Sequence, residues 1–294
     1  MGGNPSLRTI LDFRGDSQRI GSWIRFHRRQ RKAETLSRTR LAAQVATHRD
    51  IAIMELTRES VLVVACDSAG GVGPKPSDKI RVGGQVVGQF TSRVALAETL
   101  SVGAAPFLIV ATLSVEPKPT AASVISGIRK ELRAARIAVP ILRSTEKNVQ
   151  VAQTGIGVTV LAKVTRDLLR IGRSRVGDAI VAIGLPHVGS EVRRGEMNHK
   201  IADLRDLRNL LNFAQIHDII PVGSAGVLKE AKVIARDSRL DFQMSKPPKM
   251  DLKKSAGPAT ALLCSIPESR LRDLQLLTNK PVTQIGTLVT RTHG

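Results

Sequence analysis

The residues best suited to chemistry stand together at 67–73. An apolar, β-branched run, Val61-Leu62-Val63-Val64-Ala65-Cys66, stops at one carboxylate, Asp67. A buried strand that delivers an acid to its tip holds the charge rigidly. Ser68, Gly70, Gly71 and Gly73 follow, a loop whose backbone N–H groups can approach a ligand closely, as anion-binding turns require. The spacing is neither that of a P-loop nor that of a dinucleotide fingerprint, so an ordinary connecting loop stays open as a reading. Thr91 or Ser92 can then cap a helix in which Val94, Leu96, Ala97 and Leu100 alternate with Arg93 and Glu98, and Gly103 is placed to end it. Glu98 lies one turn from Val94 and leans towards the apolar side, although a solvated glutamate is the simpler reading of the helix alone. Asp67 and Glu98 together could make an oxygen-rich magnesium site.

These elements belong to a longer pattern. The Asp67 strand tip followed by VGQFTSRVALAETLSVGAAP (87–106) resembles the amino-terminal domain of the superfamily that contains AIR synthase, thiamine-monophosphate kinase, selenophosphate synthetase and the hydrogenase-maturation dehydratase. RIGRSRVGDAIVAIGLP (170–186) resembles its interdomain segment. IHDIIPVGSAGVLKEAKVIA (216–235) resembles its carboxy-terminal helix entry. The resemblance covers about 61–289 and implies an α+β, two-domain, AIR-synthase-like fold. Within the superfamily, no reactive cysteine stands in the glycine loop as in selenophosphate synthetase, and no terminal cysteine as in the dehydratase. The combination CDSAGGVG (66–73), RSTE (143–146), PVGSAG (221–226) and KSAGPAT (254–260) is similar to the α-ribazole kinases of cobalamin salvage. That similarity implies transfer of the ATP γ-phosphoryl group to the ribose 5′-hydroxyl of a nucleoside. It implies Mg2+ on Asp67, Glu98 and Glu146, the last standing where relatives carry a Gly-Gly-Asp-Thr turn. Ser68, Gly70, Gly71 and Gly73 would lie near phosphates, with Lys75, Lys79 and Arg93 as counter-charges, and a homodimer joined through the amino-terminal sheets. No catalytic base is identifiable. An ATP-dependent ring-closing synthetase, another small-molecule kinase such as thiamine-monophosphate kinase, and a non-catalytic nucleotide- or RNA-binding protein are the alternatives.

The elements that must position these residues are a βαβαββ layer, with strands over 61–67, 107–114, 139–142 and 155–164 and helices over 91–102 and 119–137. Val124, Ile125, Ile128 and Leu132 mark the second helix at spacings of three and four. A domain boundary falls near 168, in a basic stretch before Gly177. Beyond it come a strand at 179–183, a helix over 198–213, a glycine turn at 223–226 that opens a further helix, and strands at 261–265 and 282–289. The free N–H groups of that last helix start could serve an anion. His187 and His217 stand beside turns, where histidine can be structural or catalytic.

The 294 residues suffice for two modest cores, and no apolar run reaches the ~18 residues of a membrane span, which points to a cytoplasmic protein. Cys66 and Cys264 lie in apolar runs, as reduced core thiols do. A net charge of +20 suggests nucleic acid, but aromatic residues make up only 2% and the cations are dispersed, leaving little to stack bases on. Residues 1–53 hold 11 basic against 4 acidic side chains, and they read as a disordered basic extension ahead of a domain starting at Met54, the expected start of translation.

Overall fold

The computed structural model describes residues 45–244 and 249–291. Most of the basic extension lies outside the described residues. Its last part, however, is ordered sheet. β1 (Val45–His48) and β2 (Ile51–Glu55) form a hairpin, and β2 pairs with β3 (Ser60–Gly70), matching Ile51 with Ala65 and Glu55 with Val61. Ile51 is buried in the core. A chain begun at Met54 would lack β1 and most of β2. The short, mixed pattern of 45–53 hid these strands, because a hairpin at a sheet edge alternates only weakly.

The first sheet has six strands in the order β1-β2-β3-β8-β6-β7, where β6 is Ala105–Leu113, β7 Ile141–Thr145 and β8 Gly155–Thr165. All neighbours are antiparallel except β6 and β7. Two strands of two residues, β4 (Val72–Gly73) and β5 (Ile80–Arg81), pair beside it. Val61, Val63 and Ala65 of β3, with Ile156, Val158 and Val160 of β8, point to one face, which α1 (Gly84–Ser101) and α2 (Ala122–Ala135) cover. The second half is a five-stranded antiparallel sheet, β10-β12-β9-β13-β11. Its strands are β9 (Asp178–Ile183), β10 (Ile219–Pro221), β11 (Leu240–Met244), β12 (Leu262–Pro267) and β13 (Val282–Thr290). Helices α3 (Glu191–Met197), α4 (Leu204–Leu211), α5 (Val227–Asp237) and α6 (Leu271–Leu277) complete it.

β9 is buried along its whole length, and its two faces serve different cores. Ala179, Val181 and Ile183 join a core that runs into the first sheet and includes Leu204 and Leu207 of α4. Ile180 and Ala182 pack against Ala231 and Ile234 of α5. The two halves therefore share apolar contacts.

α1 departs most from its expected form. It starts at Gly84, a full turn and more before Thr91, and 14 of its 18 residues are buried, Arg93 and Glu98 among them. Val94 and Leu100, expected on the inner face, are half-exposed, as is Val86. The helix is surrounded, so no single polar stripe exists for the pattern to show. Gly84 and Gly88, poor helix formers, disguise its first turns. Gly88 is required by packing: a Cβ there would sit 2.0 Å from the Val124 carbonyl oxygen, and one on Gly127 would sit 2.0 Å from that of Gln85. The expected helix over 198–213 is α4 alone, because Asp203 caps it with a reciprocal Asp206 box.

Gly127→Ala is expected to destabilise the protein by about 3 kcal/mol through overpacking between α1 and α2, read as a lower urea midpoint.

Candidate functional site

A cavity of about 1200 Å³ lies between the two halves. Its floor is the end of β3, one wall is the outer edge of α1, and the facing wall comes from the turns around Gly223 and Pro258 and from α3. Strand alternation decides what enters it. Asp67 shares a face with Val61, Val63 and Ala65 and is carried past the end of the apolar run, so it meets the cavity instead of the core. Cys66 and Ser68 point the other way. Cys66 is an exposed thiol, which corrects its expected place in a core, whereas Cys264 is buried and its thiol is pushed up to about 12 by burial.

Three carboxylates line the cavity: Asp67, Glu98 and Asp50. Burial raises Asp67 to about 6, the backbone N–H of Ser68 pulls it back, and the charge of Asp50 raises it further. Glu98 is raised to about 7 by burial, against Arg49, and again with Asp50 adding to the rise. Asp50 thus acts on both. Sequence reasoning missed it because the tip of an unrecognised hairpin carries no motif. Both Glu98 oxygens are engaged by the Arg49 guanidinium, at 2.9 and 3.4 Å.

Glu146 does not join them. Its exposed carboxylate accepts the backbone N–H groups of Asn148 and Val149, which lowers its proton affinity, and it ends a turn after β7, outside the cavity lining. Asp67 pairs across β8 and β6 with the row of Arg143, so β7 lies three strands from Asp67, about 14 Å at sheet spacing. The three expected ligands are not one cluster. Among the described residues no group of three or more His, Cys, Asp or Glu is arranged to hold a metal by itself. Asp50 and Asp67 nevertheless suit Mg2+, which binds through one or two carboxylates with waters and phosphates in its remaining positions. Asp67 is half-buried and Asp50 exposed, and the charge of Asp50 acting on Asp67 is what a divalent cation relieves.

The glycine loop is built for its own support. Asp78 is buried and accepts from Thr154 N–H, Thr154 Oγ1 and Lys75 N–H, each at 2.7 Å. A Cβ on Gly73 would lie 2.4 Å from Thr154 Oγ1. Gly71 has φ +68°, donates to the Thr154 carbonyl and accepts from Lys79 and Ile80. Gly71 and Gly73 are therefore set by packing, while Ser68 and Gly70 border the cavity. Lys75 is paired with Glu116 at 2.5 Å and does not line the cavity. Lys79 does, and Arg81 and Arg193, absent from the expected set, line it too.

Arg93 is no phosphate counter-charge. It is buried, bonds Glu131 at 2.8 and 3.3 Å, Glu196 at 2.9 Å and the Ala202 carbonyl at 3.4 Å, and stacks 4.5 Å from the Phe90 ring centre. Phe90, with Val86 and Val192, supplies an apolar patch at the cavity instead. The basic interdomain segment is likewise structural. Asp218 accepts from the backbone of Arg173 and Ser174, and Asp178 from Arg175 N–H and His217 Nδ1. His187 holds its own turn through Leu185 and Thr260. At the start of α5 the Leu228 N–H is taken by Leu252, and a Cβ on Gly226 would strike the same segment, so that helix end is largely covered by chain.

No family model matches the chain, and no curated protein matches it significantly. Solved structures do. Thiamine-monophosphate kinase from Stenotrophomonas maltophilia K279a superposes with a TM-score of 0.55 at 17% identity over 92% of this chain and 94% of its own. Hydrogenase maturation protein HypE in complex with ATP gives 0.54 at 18%, over 85% and 81%. T. maritima PurL complexed with AMPPCP gives 0.57 at 12%, over 85% of this chain and 43% of PurL. The fold is AIR-synthase-like. Among the described residues no helix is long and apolar enough to cross a membrane.

Arg93→Met is expected to cost about 3–5 kcal/mol by leaving Glu131 buried without its partner. Urea unfolding should show that loss, and adding Glu131→Leu should recover most of it.

Proposed function

We propose that the protein is an ATP- and Mg2+-dependent kinase that phosphorylates the 5′-hydroxyl of a nucleoside, with α-ribazole as the acceptor. The observation that carries this reading is one cavity lined by segments far apart in sequence: the Asp67 strand end, the Gly223-Ser224 turn and the Gly257-Pro258 turn. Those segments hold three of the four motifs similar to α-ribazole kinases. The fourth, RSTE, is at the far edge of the sheet and takes no part. Two proteins of this fold support nucleotide binding: HypE is described in complex with ATP, and AaThiL complexed with AMPPCP and TMP.

The apolar patch of Val86, Phe90 and Val192 suits a nucleobase, which has a π-face and little charge. Lys79 and Arg81 on one segment of the cavity wall and Arg193 on another suit a polyphosphate spanning it. Asp50 and Asp67 would hold Mg2+, which shields the charge of the β- and γ-phosphates. In the transfer, the nucleoside oxygen bonds to the γ-phosphorus while the bond to the β,γ-bridging oxygen breaks. ADP leaves and the hydroxyl proton passes to solvent. Positioning and charge do most of this work, as a loose transition state requires little covalent help.

The outer face of the first sheet suits a second copy of the chain. Leu62, Val64, Val110 and Leu161 present a half-buried apolar surface there, and Phe107 and Leu142 are 46% and 60% exposed. A monomer rarely leaves such a face bare. Leu161→Asp should give monomers by light scattering where the parent gives dimers.

Asp67→Asn should abolish turnover in a coupled ADP assay with α-ribazole while the unfolding midpoint stays near that of the parent. Near-normal activity would remove Asp67 from the site.

A further inference from the structure

One guanidinium lies where the walls of the cavity meet. Arg49 occupies the turn between β1 and β2, with φ +51°, and its side chain is 8% exposed. It donates to Glu98 on α1, to Glu230 on α5 at 3.0 Å, and to the carbonyl of Pro221, the last residue of β10, at 2.9 Å. A planar fork with five donors can satisfy three acceptors at once, which an ammonium on a flexible stem does poorly. The residue before it is anchored as well: His48 Nε2 lies 2.6 Å from Asp237 Oδ2 at the other end of α5. The turn is thus pinned along α5 at both ends. The residue after it, Asp50, lines the cavity with Asp67, and the residues after Pro221, Val222 to Ser224, line it from the opposite side.

We propose that Arg49 is a positioning residue that sets the span of the cavity. By tying the β1–β2 turn to α1 and to the end of β10, it fixes Asp50 against Asp67 and fixes the 222–224 turn across from them. An ion pair serving stability alone would not need to join these three segments at the one place where each borders the cavity. The metal side of this inference rests on the kinase reading above, whereas the geometric side does not.

The test uses the whole protein and two variants, Arg49→Lys, which keeps the charge and loses the fork, and Glu230→Gln, which weakens one acceptor outside the cavity lining. ATP binding is measured by calorimetry with Mg2+ and again with EDTA, and hydrogen exchange is followed without nucleotide. Both variants are expected to bind ATP with Mg2+ about 10-fold more weakly, the size usual for an outer partner of a metal ligand, with a smaller loss in EDTA. Combining Arg49→Lys with Asp50→Asn should cost less than the sum of the two single losses, since they share the Asp50 carboxylate. Exchange should quicken together at 45–55 and 219–224. Metal-dependent binding equal to the parent's, or equal losses with and without metal, would overturn the proposal. If the parent binds no ATP in either condition, the kinase reading fails, and exchange decides alone: joint quickening in a folded variant supports the Arg49 role, and unchanged exchange refutes it. Should Arg49→Lys fail to fold, Glu230→Gln carries the same comparisons.

Discussion

A helix buried on all sides cannot carry charge unless other elements bring the counter-charge to it. α1 carries two, Arg93 and Glu98, and the requirement is met from both halves of the molecule. Arg93 reaches Glu131 in the first half and Glu196 in the second. Glu98 receives Arg49, which in turn holds Glu230. Isolated ions this deep would be prohibitive, and their pairing roughly offsets desolvation without adding much net stability. What the pairs provide is a single arrangement. An apolar contact tolerates sliding, whereas a bidentate guanidinium accepts only a narrow geometry, so the halves flanking α1 are held in one relation and the cavity between them has a defined width.

The same economy accounts for a glycine-rich loop that is less of a ligand cradle than its composition suggests. Its glycines answer to Thr154 and Asp78, and the Asp78 carboxylate does for this loop what a phosphate does for an anion-binding turn, collecting N–H and O–H donors at short distance. The loop is therefore formed without a ligand. Its approach from β3, Val72 between the two packed glycines, and its exit at Lys79 to Val82 meet the cavity.

Much of the frame was legible in the chain. β3, β6, β8 and β9 declare themselves through apolar runs of strand length, and α2 through its spacing, because each packs one clear face or is buried outright. The site was legible only in part. Asp67 stands out because a carboxylate at the end of an apolar strand is costly to place there unless its charge is used. Arg93 and Lys75 look like free cations in a sequence, since nothing local shows that Glu131 and Glu116 come to meet them, 38 and 41 positions later. Glu146 occupies a motif position yet serves a local turn. Asp50 and Arg49 escaped notice because their importance comes wholly from where a two-residue turn lands in space.

β3 runs for eleven residues, each matched to one on β8 without a bulge, and it sends Asp67 to one side of the sheet and its neighbours Cys66 and Ser68 to the other. Such a strand has no slack. Inserting or deleting a single residue between Val61 and Asp67 would turn the acid outward and a thiol or hydroxyl inward, exchanging the chemistry of the two surfaces at a stroke. A change of length in this part of the chain is consequently best absorbed in the 56–59 turn, whose residues are exposed.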